Sequence, residues 1–144
     1  MFSRILGNLL FIGRCLNTFQ RQVPVDTELI PSQNILISYI CRYPGCTAED
    51  LIREYGLHKS RVARLMTVLE EGGYVTRAVS EKDARCRLLY PTEKALSIHP
   101  QLEAQYEFYT DEILTGLSAE ETEALQNLTE RIRENAAKLI DNAK

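Results

Sequence analysis

Two short helical segments joined by a turn of only a few residues constrain this chain more than any other feature. The TAED sequence at residues 47–50 has a hydroxyl followed three positions later by a carboxylate. That spacing predicts the start of a helix, which continues through Tyr55. Gly56 is suited to end this helix in a left-handed conformation. The next helical pattern starts at Lys59, so the two segments must turn sharply, as in a helix-turn-helix unit.

The helix that begins at Lys59 has one apolar face and one basic face. Between Lys59 and Glu71, the apolar residues recur at helical spacing: Val62, Leu65, Met66 and Leu69. The candidate DNA-binding residues on the other side are Lys59, Ser60, Arg61 and Arg64. Their side chains can reach guanine edges and phosphates. A merely solvated face has the same composition, but the neighbouring helix and the strands that follow favour insertion into a DNA groove.

A two-stranded hairpin is predicted after the glycine pair at residues 72–73. Residues 74–79 and 87–90 read as strands, and a polar loop joins them. The candidate DNA-binding residues of this hairpin are Lys82, Asp83, Arg85 and Arg87. A basic hairpin tip can lie along a phosphate backbone or insert an arginine into a narrow minor groove. We expect the acidic Asp83 to bond Arg85 or backbone amides and so hold the tip in place.

Both ends of the chain are predicted to be long amphipathic helices. A heptad-like stripe in the first helix consists of Ile5, Leu9, Ile12, Leu16, Phe19 and Val23, and Pro24 should end that helix. A capping box at residues 118–121 begins the last helix. Its inner stripe consists of Leu125, Leu128, Ile132, Ala136 and Leu139. Apolar stripes at both ends predict a helical dimerisation module.

Two more helices complete the predicted fold. Pro31 suits the first turn of a helix that runs to near Tyr43, and this helix is apolar on most sides, so we expect it to be the central core helix. Thr92 should cap another helix, which continues past Pro100 to near Thr115. The predicted fold class is therefore mainly α (α+β), a winged helix-turn-helix with a two-stranded β wing and N- and C-terminal dimerisation helices.

The distribution of charge is more informative than the net charge of −3. Residues 53–87 carry eight basic and five acidic residues, a net charge of +3. Residues 93–144 carry eleven acidic and five basic residues, a net charge of −6. A basic middle section beside an acidic tail is typical of a protein that presents one face to phosphates.

Nothing in the sequence predicts catalytic or metal chemistry. The four cysteines match no zinc spacing, and the chain has only two histidines, no phosphate-binding loop and no set of nucleophile and base. We therefore predict that the chain is not an enzyme and has no cofactor or metal. Unpaired cysteines fit a reducing compartment, and the N-terminal apolar run lacks a signal-peptide cleavage pattern. The expected location is cytoplasmic, without membrane attachment.

These motifs together resemble the MarR family of bacterial winged-helix transcription regulators. The resemblance spans nearly the whole chain and is strongest in TAEDLIREYGLHKSRVARLMTVLEEGGYVTR (47–77) and DARCRLLYPTEKA (83–95). The family's D-x-R wing signature corresponds to residues 83–85. Two departures are His58, where the family often has a capping Asp or Ser, and the replacements at Pro91 and Ala95 near the end of the wing.

The resemblance implies a homodimeric regulator that binds a near-palindromic operator in double-stranded DNA, and we expect a repressor. Residues 1–144 would be a single domain of this type, with 1–23 and 98–144 as dimerisation helices and 31–95 as the DNA-binding region. It also implies a small aromatic or lipophilic effector. The possible ligand-binding residues are Tyr39, Tyr43 and Tyr106, although tyrosines at such positions are also ordinary core residues.

Two alternatives remain open. In the first, the regulator responds to oxidation through Cys86, whose thiolate the flanking arginines should favour, or through Cys15 on the first helix. In the second, the winged helix contacts other proteins and does not bind DNA.

Overall fold

Six helices and one two-stranded sheet form the chain in the computed structural model, which describes residues 3–22, 25 and 28–142. In chain order the elements are α1 (Arg4–Gln22), α2 (Pro31–Arg42), α3 (Ala48–Tyr55), α4 (Lys59–Glu71), β1 (Val75–Val79), β2 (Arg87–Pro91), α5 (Glu93–Ile113) and α6 (Ala119–Asn142). The predicted element order and mainly α fold class are confirmed. The predicted last stripe residue of α1, Val23, and its stop at Pro24 lie outside the described residues.

Local capping sets the turn between α3 and α4. The Thr47 hydroxyl accepts a hydrogen bond from the backbone N–H of Asp50 at 3.2 Å, and the Asp50 carboxylate accepts one from the Thr47 N–H at 2.9 Å. This reciprocal pair satisfies two N–H groups that the first turn leaves without partners. At the other end, Gly56 has φ 61°, a left-handed conformation that glycine adopts without strain. α4 then begins at Lys59, as predicted.

The core lies around α2. Leu36, Ile37 and Ile40 of α2 have no solvent-exposed surface, so the prediction of a central helix is confirmed. The other large side chains with almost no exposed surface come from four different elements: Leu51, Val62, Met66, Leu69, Leu89 and Leu102. Burial of these side chains is the main favourable term that holds α3, α4, β2 and α5 against α2.

The hairpin is tied to the rest of the domain at its base. β1 and β2 are antiparallel, with Thr76 opposite Tyr90. Cys46, in the loop after α2, forms an isolated bridge with Leu89: the Leu89 N–H donates to the Cys46 carbonyl at 2.7 Å. In addition, the Thr92 hydroxyl donates to the Gly73 carbonyl at 2.6 Å, and Thr92 also caps α5. No local sequence pattern predicts the Cys46–Leu89 bridge, because it joins segments more than forty residues apart.

The two terminal helices expose their apolar stripes within the single chain. On α1 the exposed large apolar side chains include Ile5, Leu9 and Ile12, and on α6 they include Leu125, Leu128, Ile132 and Leu139. No residue of α6 whose burial is described is buried. Unpartnered apolar faces of this size are characteristic of surfaces that another chain covers. Within the described ranges, no helix is both long and apolar enough to span a membrane.

Truncation of a fully buried α4 side chain should destabilise the fold. We expect Leu69→Ala to lower the free energy of unfolding by about 2–5 kcal/mol, because it removes apolar contacts and leaves a cavity. Urea unfolding at one fixed protein concentration measures the change. Leu96→Ala, at a position that is 49% exposed on α5, is the control. Equal losses for the two variants would contradict this description of the core.

Candidate nucleic-acid interface

α4 presents its basic side to solvent because its apolar side is buried. Val62, Met66 and Leu69 are at most 1% exposed, and Leu65 is also buried. Positions on the opposite side of a helix cannot reach the same core. The predicted residues Lys59, Ser60, Arg61 and Arg64 are accordingly all exposed. His58 precedes the helix as its N-cap residue, and its side chain makes no capping hydrogen bond.

The cationic side chains of α4 are not engaged by any acid among the described residues. In the part of the chain that the structure describes, Lys59, Arg61 and Arg64 form no ion pair. Arg77 of β1 differs from them, because it pairs with Glu70 on the last turn of α4. The Arg77–Glu70 pair links the wing to α4, whereas the three cations of α4 remain available to an external anion.

Backbone hydrogen bonds hold the wing tip in a defined turn. The Ser80 N–H donates to the Cys86 carbonyl at 3.0 Å, and the Cys86 N–H donates to the Asp83 carbonyl at 3.0 Å. The Asp83 carboxylate accepts the backbone N–H of Arg85 at 2.9 Å, which is the contact expected of this acid. These bonds fix the direction of the chain through the tip.

The three basic residues at the wing tip, Lys82, Arg85 and Arg87, differ in the contacts that their side chains make. The Arg87 guanidinium donates to the Ala84 carbonyl at 2.9 Å, so it braces the turn from within. Lys82 and Arg85 are exposed, and among the described residues their side chains form no ion pair. The wing therefore offers two free cations on a backbone that is held in place.

A cleft between α2 and α4 adds a residue that sequence reasoning missed. It has a volume of about 220 Å³ and is lined by Ile30, Ser32, Arg61, Arg64, Leu65 and Val68. Ser32 lies in the first turn of α2, and it shares this cleft with the two arginines of α4. Pro31 signals the start of a helix, but no sequence pattern shows which helix lies beside that start.

The three predicted ligand-binding tyrosines are only partly brought together. The rings of Tyr39 and Tyr43 lie 4.8 Å apart, and Tyr43 is half exposed. Tyr106 instead lines a second cleft of about 340 Å³, together with Arg42, Glu103, Glu107, Thr110 and Asp111.

Tyr55, at the end of α3, connects the Tyr39–Tyr43 pair to Tyr106. The sequence did not indicate Tyr55 as a ligand-binding residue. Its ring centroid is 5.9 Å from that of Tyr39, and it interacts electrostatically with Tyr106. Burial is the main cause that raises the pKa of Tyr55 to about 12 and the pKa of Tyr106 still further. These phenols are therefore neutral at physiological pH, which suits contact with an uncharged or aromatic group.

A MarR-family model matches residues 29–85, which include α2, α3, α4, β1 and the wing tip. The chain is also 28% identical over 131 residues to an uncharacterized HTH-type transcriptional regulator, YybA, of Bacillus subtilis (strain 168). That similarity covers 91% of this chain and 87% of YybA. The resemblance to the MarR family that the helix-turn-helix and wing motifs indicated is confirmed by the match of this region. The relative is a transcriptional regulator, which agrees with the prediction that this chain is not an enzyme.

Solved structures of MarR-type proteins share the fold. The transcriptional regulator SlyA has a TM-score of 0.90 at 23% identity, over 99% of this chain and 100% of that chain. A putative MarR family transcriptional regulator from Listeria monocytogenes, complexed with 26mer DNA, has a TM-score of 0.85 at 23% identity, over 95% of this chain and 91% of that chain. These similarities confirm the predicted winged helix-turn-helix architecture of this chain.

The four cysteines of this protein lie in different environments. Cys15 on α1 and Cys86 in the wing are partly buried free thiols. Burial raises the pKa of both Cys41 and Cys46 to about 11. Within the described residues, no group of three or more histidines, cysteines or acids is arranged to hold a metal ion.

Cys41 and Cys46 should therefore be alkylated slowly by iodoacetamide at pH 8. With a pKa of about 11, only about 0.1% of each thiol is the reactive thiolate at that pH. Their reaction rates should rise with pH up to about that pKa, because a raised pKa moves thiolate formation to higher pH. Timed alkylation followed by peptide mass spectrometry measures the rates, with urea-unfolded protein as the control. Equal rates in folded and unfolded protein at pH 8 would show that burial does not suppress ionisation.

Proposed function

We propose that this protein is a MarR-type, homodimeric, sequence-specific repressor that binds a near-palindromic operator in double-stranded DNA. The observation that carries the proposal is the exposed basic side of α4, whose cations pair with no acid in the described ranges. It directly precedes a wing in which Lys82 and Arg85 likewise form no ion pair with a described residue. Guanidinium and ammonium groups without acidic partners are suited to phosphates and guanine edges. We call α3, α4 and the wing together the reading head. The net charge of +3 over residues 53–87 favours attraction of phosphates to the reading head and not to the acidic C-terminal part.

Each part of the proposed interface has its own role in this function. α4 enters a major groove, where Arg64 and Arg61 contact base edges and Lys59 and Ser60 contact the adjacent backbone. Arg85 and Lys82 contact the flanking backbone or minor groove. Arg87 and Asp83 act through the turn, since their described bonds are to the wing backbone. Ser32 extends the interface toward the start of α2, because it shares a cleft with both arginines of α4.

In this proposal the dimer is formed by residues 1–23 and 98–144. These ranges correspond to α1, to α5 from Ile98 onward, and to α6. The exposed apolar stripes of α1 and α6 support it, since a single chain leaves both without cover. Two reading heads related by a two-fold axis would meet successive major grooves about 34–36 Å apart. A near-palindromic operator follows from that symmetry.

An effector in this proposal binds beside the tyrosines and relieves repression. The cleft at Tyr106 is walled by α2 and α5, and Tyr55 connects it to Tyr39 and Tyr43 on the side of the reading head. The neutral phenol rings suit contact with a small aromatic or lipophilic compound, and the charged side chains that line the cleft would bind any polar group it carries. The distance between the two reading heads of the dimer can differ between conformations. A compound that binds one of these conformations more tightly would shift the protein toward it.

Two arginine substitutions distinguish base reading from backbone contact. We expect Arg64→Ala to cost about 1–3 kcal/mol on the operator and to relax its sequence preference, because a bidentate base contact is lost. Arg85→Ala should weaken binding to all duplexes alike and reduce the salt slope by about one, because a phosphate contact is lost. Fluorescence anisotropy at several salt concentrations measures both, with duplexes selected by the wild-type protein from fragments of its source genome.

Arg131→Ala is the matched control for both changes. Arg131 is an exposed arginine on α6, far along the chain from the reading head, and it forms no ion pair with any described residue. If all three variants bind like the wild type, the residue roles proposed here are wrong. If the wild-type protein selects no duplex, the proposed function itself is wrong.

The dimer proposal predicts that a charge on the α6 stripe separates the chains. We expect Leu128→Glu to shift the protein from dimer to monomer, because the carboxylate would be buried without a partner in the dimer. Sedimentation velocity over a range of concentrations measures the change. Leu96→Glu adds the same charge at an exposed apolar position before residue 98, and it should leave the dimer intact. A wild-type protein that sediments as a monomer would contradict the proposal.

A further inference from the structure

Arg133 of α6 binds the last turn of α3, seventy-nine positions away in the chain. Its Nη1 donates to Glu54 Oε1 at 3.1 Å and its Nη2 donates to Glu54 Oε2 at 2.8 Å. The same Nη2 also donates to the backbone carbonyl of Glu54 at 2.9 Å. The guanidinium therefore grips both the side chain and the backbone of one residue, a geometry that its rigid, planar fork favours.

The backbone part of this contact caps α3. The last four carbonyls of a helix have no partner within the helix, and the Glu54 carbonyl is one of them because α3 ends at Tyr55. A cation at a helix C-terminus also interacts favourably with the helix dipole. Arg133 thus provides, from α6, a hydrogen-bond donor and a positive charge at the C-terminal end of α3.

The contact joins two parts of the molecule with different proposed roles. α3 is the first helix of the helix-turn-helix and packs against α4. α6 carries the apolar stripe of the proposed dimer, and Ile132 of that stripe is the immediate neighbour of Arg133. Because no α6 residue of described burial is buried in the single chain, packing within the chain does little to fix α6 against the reading head. Directional bonds from Arg133 are able to do so.

We propose that Arg133 and Glu54 are positioning residues that set the orientation of the reading head relative to the dimerisation helices. In the dimer, that orientation fixes the distance between the two α4 helices, and hence the half-site spacing that the protein selects. One base pair changes the spacing by about 3.4 Å and also rotates one half-site around the duplex. The inference rests on the proposed DNA-binding function. It goes further by naming the residues that determine which half-site spacing the protein selects.

A pair that acts by orientation should change selectivity more than stability. Glu54 and Arg133 side chains are 37% and 52% exposed, and ion pairs that solvent reaches contribute little to stability. We therefore expect Arg133→Gln to shift Tm by less than about 4 °C. A role confined to holding the fold together would instead lower Tm and weaken binding to every duplex equally.

The test compares duplexes that differ only in half-site spacing. The duplex that the wild-type full-length protein selects from a random pool is remade with the half-sites one base pair closer and one base pair farther apart. We expect the wild type to bind each altered duplex at least about tenfold more weakly. Arg133→Gln should reduce this discrimination to less than about threefold while it binds the original duplex within about fivefold of the wild type. Arg133→Lys keeps the positive charge but lacks the planar guanidinium. Its discrimination between spacings should lie between that of the wild type and that of Arg133→Gln.

Two further variants make the outcome decisive. Arg131→Gln removes the same charge from α6 and should keep the wild-type spacing preference. Glu54→Gln removes the negative charge from the other side but leaves the backbone carbonyl of residue 54 as an acceptor. It should therefore reduce the discrimination in the same direction as Arg133→Gln, and it tests the inference even if Arg133→Gln folds poorly. If Arg133→Gln and Glu54→Gln both keep tenfold discrimination, the inference is overturned and the proposed function stands. If the wild type binds no duplex, the proposed function fails first.

Discussion

The burial of the apolar side of α4 is the constraint on which the proposed interface depends. Val62, Met66 and Leu69 can reach the core around α2 only if α4 adopts one rotation about its axis. That rotation turns Arg61 and Arg64 to solvent, where no described acid neutralises them. The hydrophobic effect thereby fixes which way the cations face, and a basic surface arises as the other side of a well-packed core.

Polar contacts then place the neighbouring elements around α4. The capping box of α3 and the left-handed Gly56 set the turn that leads into α4. The Arg77–Glu70 pair and the Cys46–Leu89 bridge tie the wing to α4 and to the loop after α2. Each contact is individually modest, but together they hold α4 and the wing as one reading head. A rigid head suits groove recognition, because a contact geometry that is already formed costs less ordering on binding.

The single chain leaves the apolar stripes of its two terminal helices uncovered. α1 and α6 expose apolar stripes, whereas the reading head has an almost fully buried core of its own. The tyrosines and the Arg133–Glu54 contact lie where these two parts meet. In a symmetric dimer, a small rotation at that junction would be carried to both α4 helices, which is how binding at the tyrosine cleft could alter operator affinity.

The sequence by itself determined the elements and the resemblance to the MarR family. Caps, glycines and apolar periodicity depend on near neighbours, so they predicted α3, α4, the wing and both long terminal helices, including the first and last residues of α4. The basic residues of α4 and the wing were found for the same reason. Only the tertiary structure placed Ser32 beside Arg61, Tyr55 between Tyr39 and Tyr106, and Arg133 on Glu54. These contacts join residues far apart in the chain, and no local pattern encodes them, because they follow from how whole helices pack.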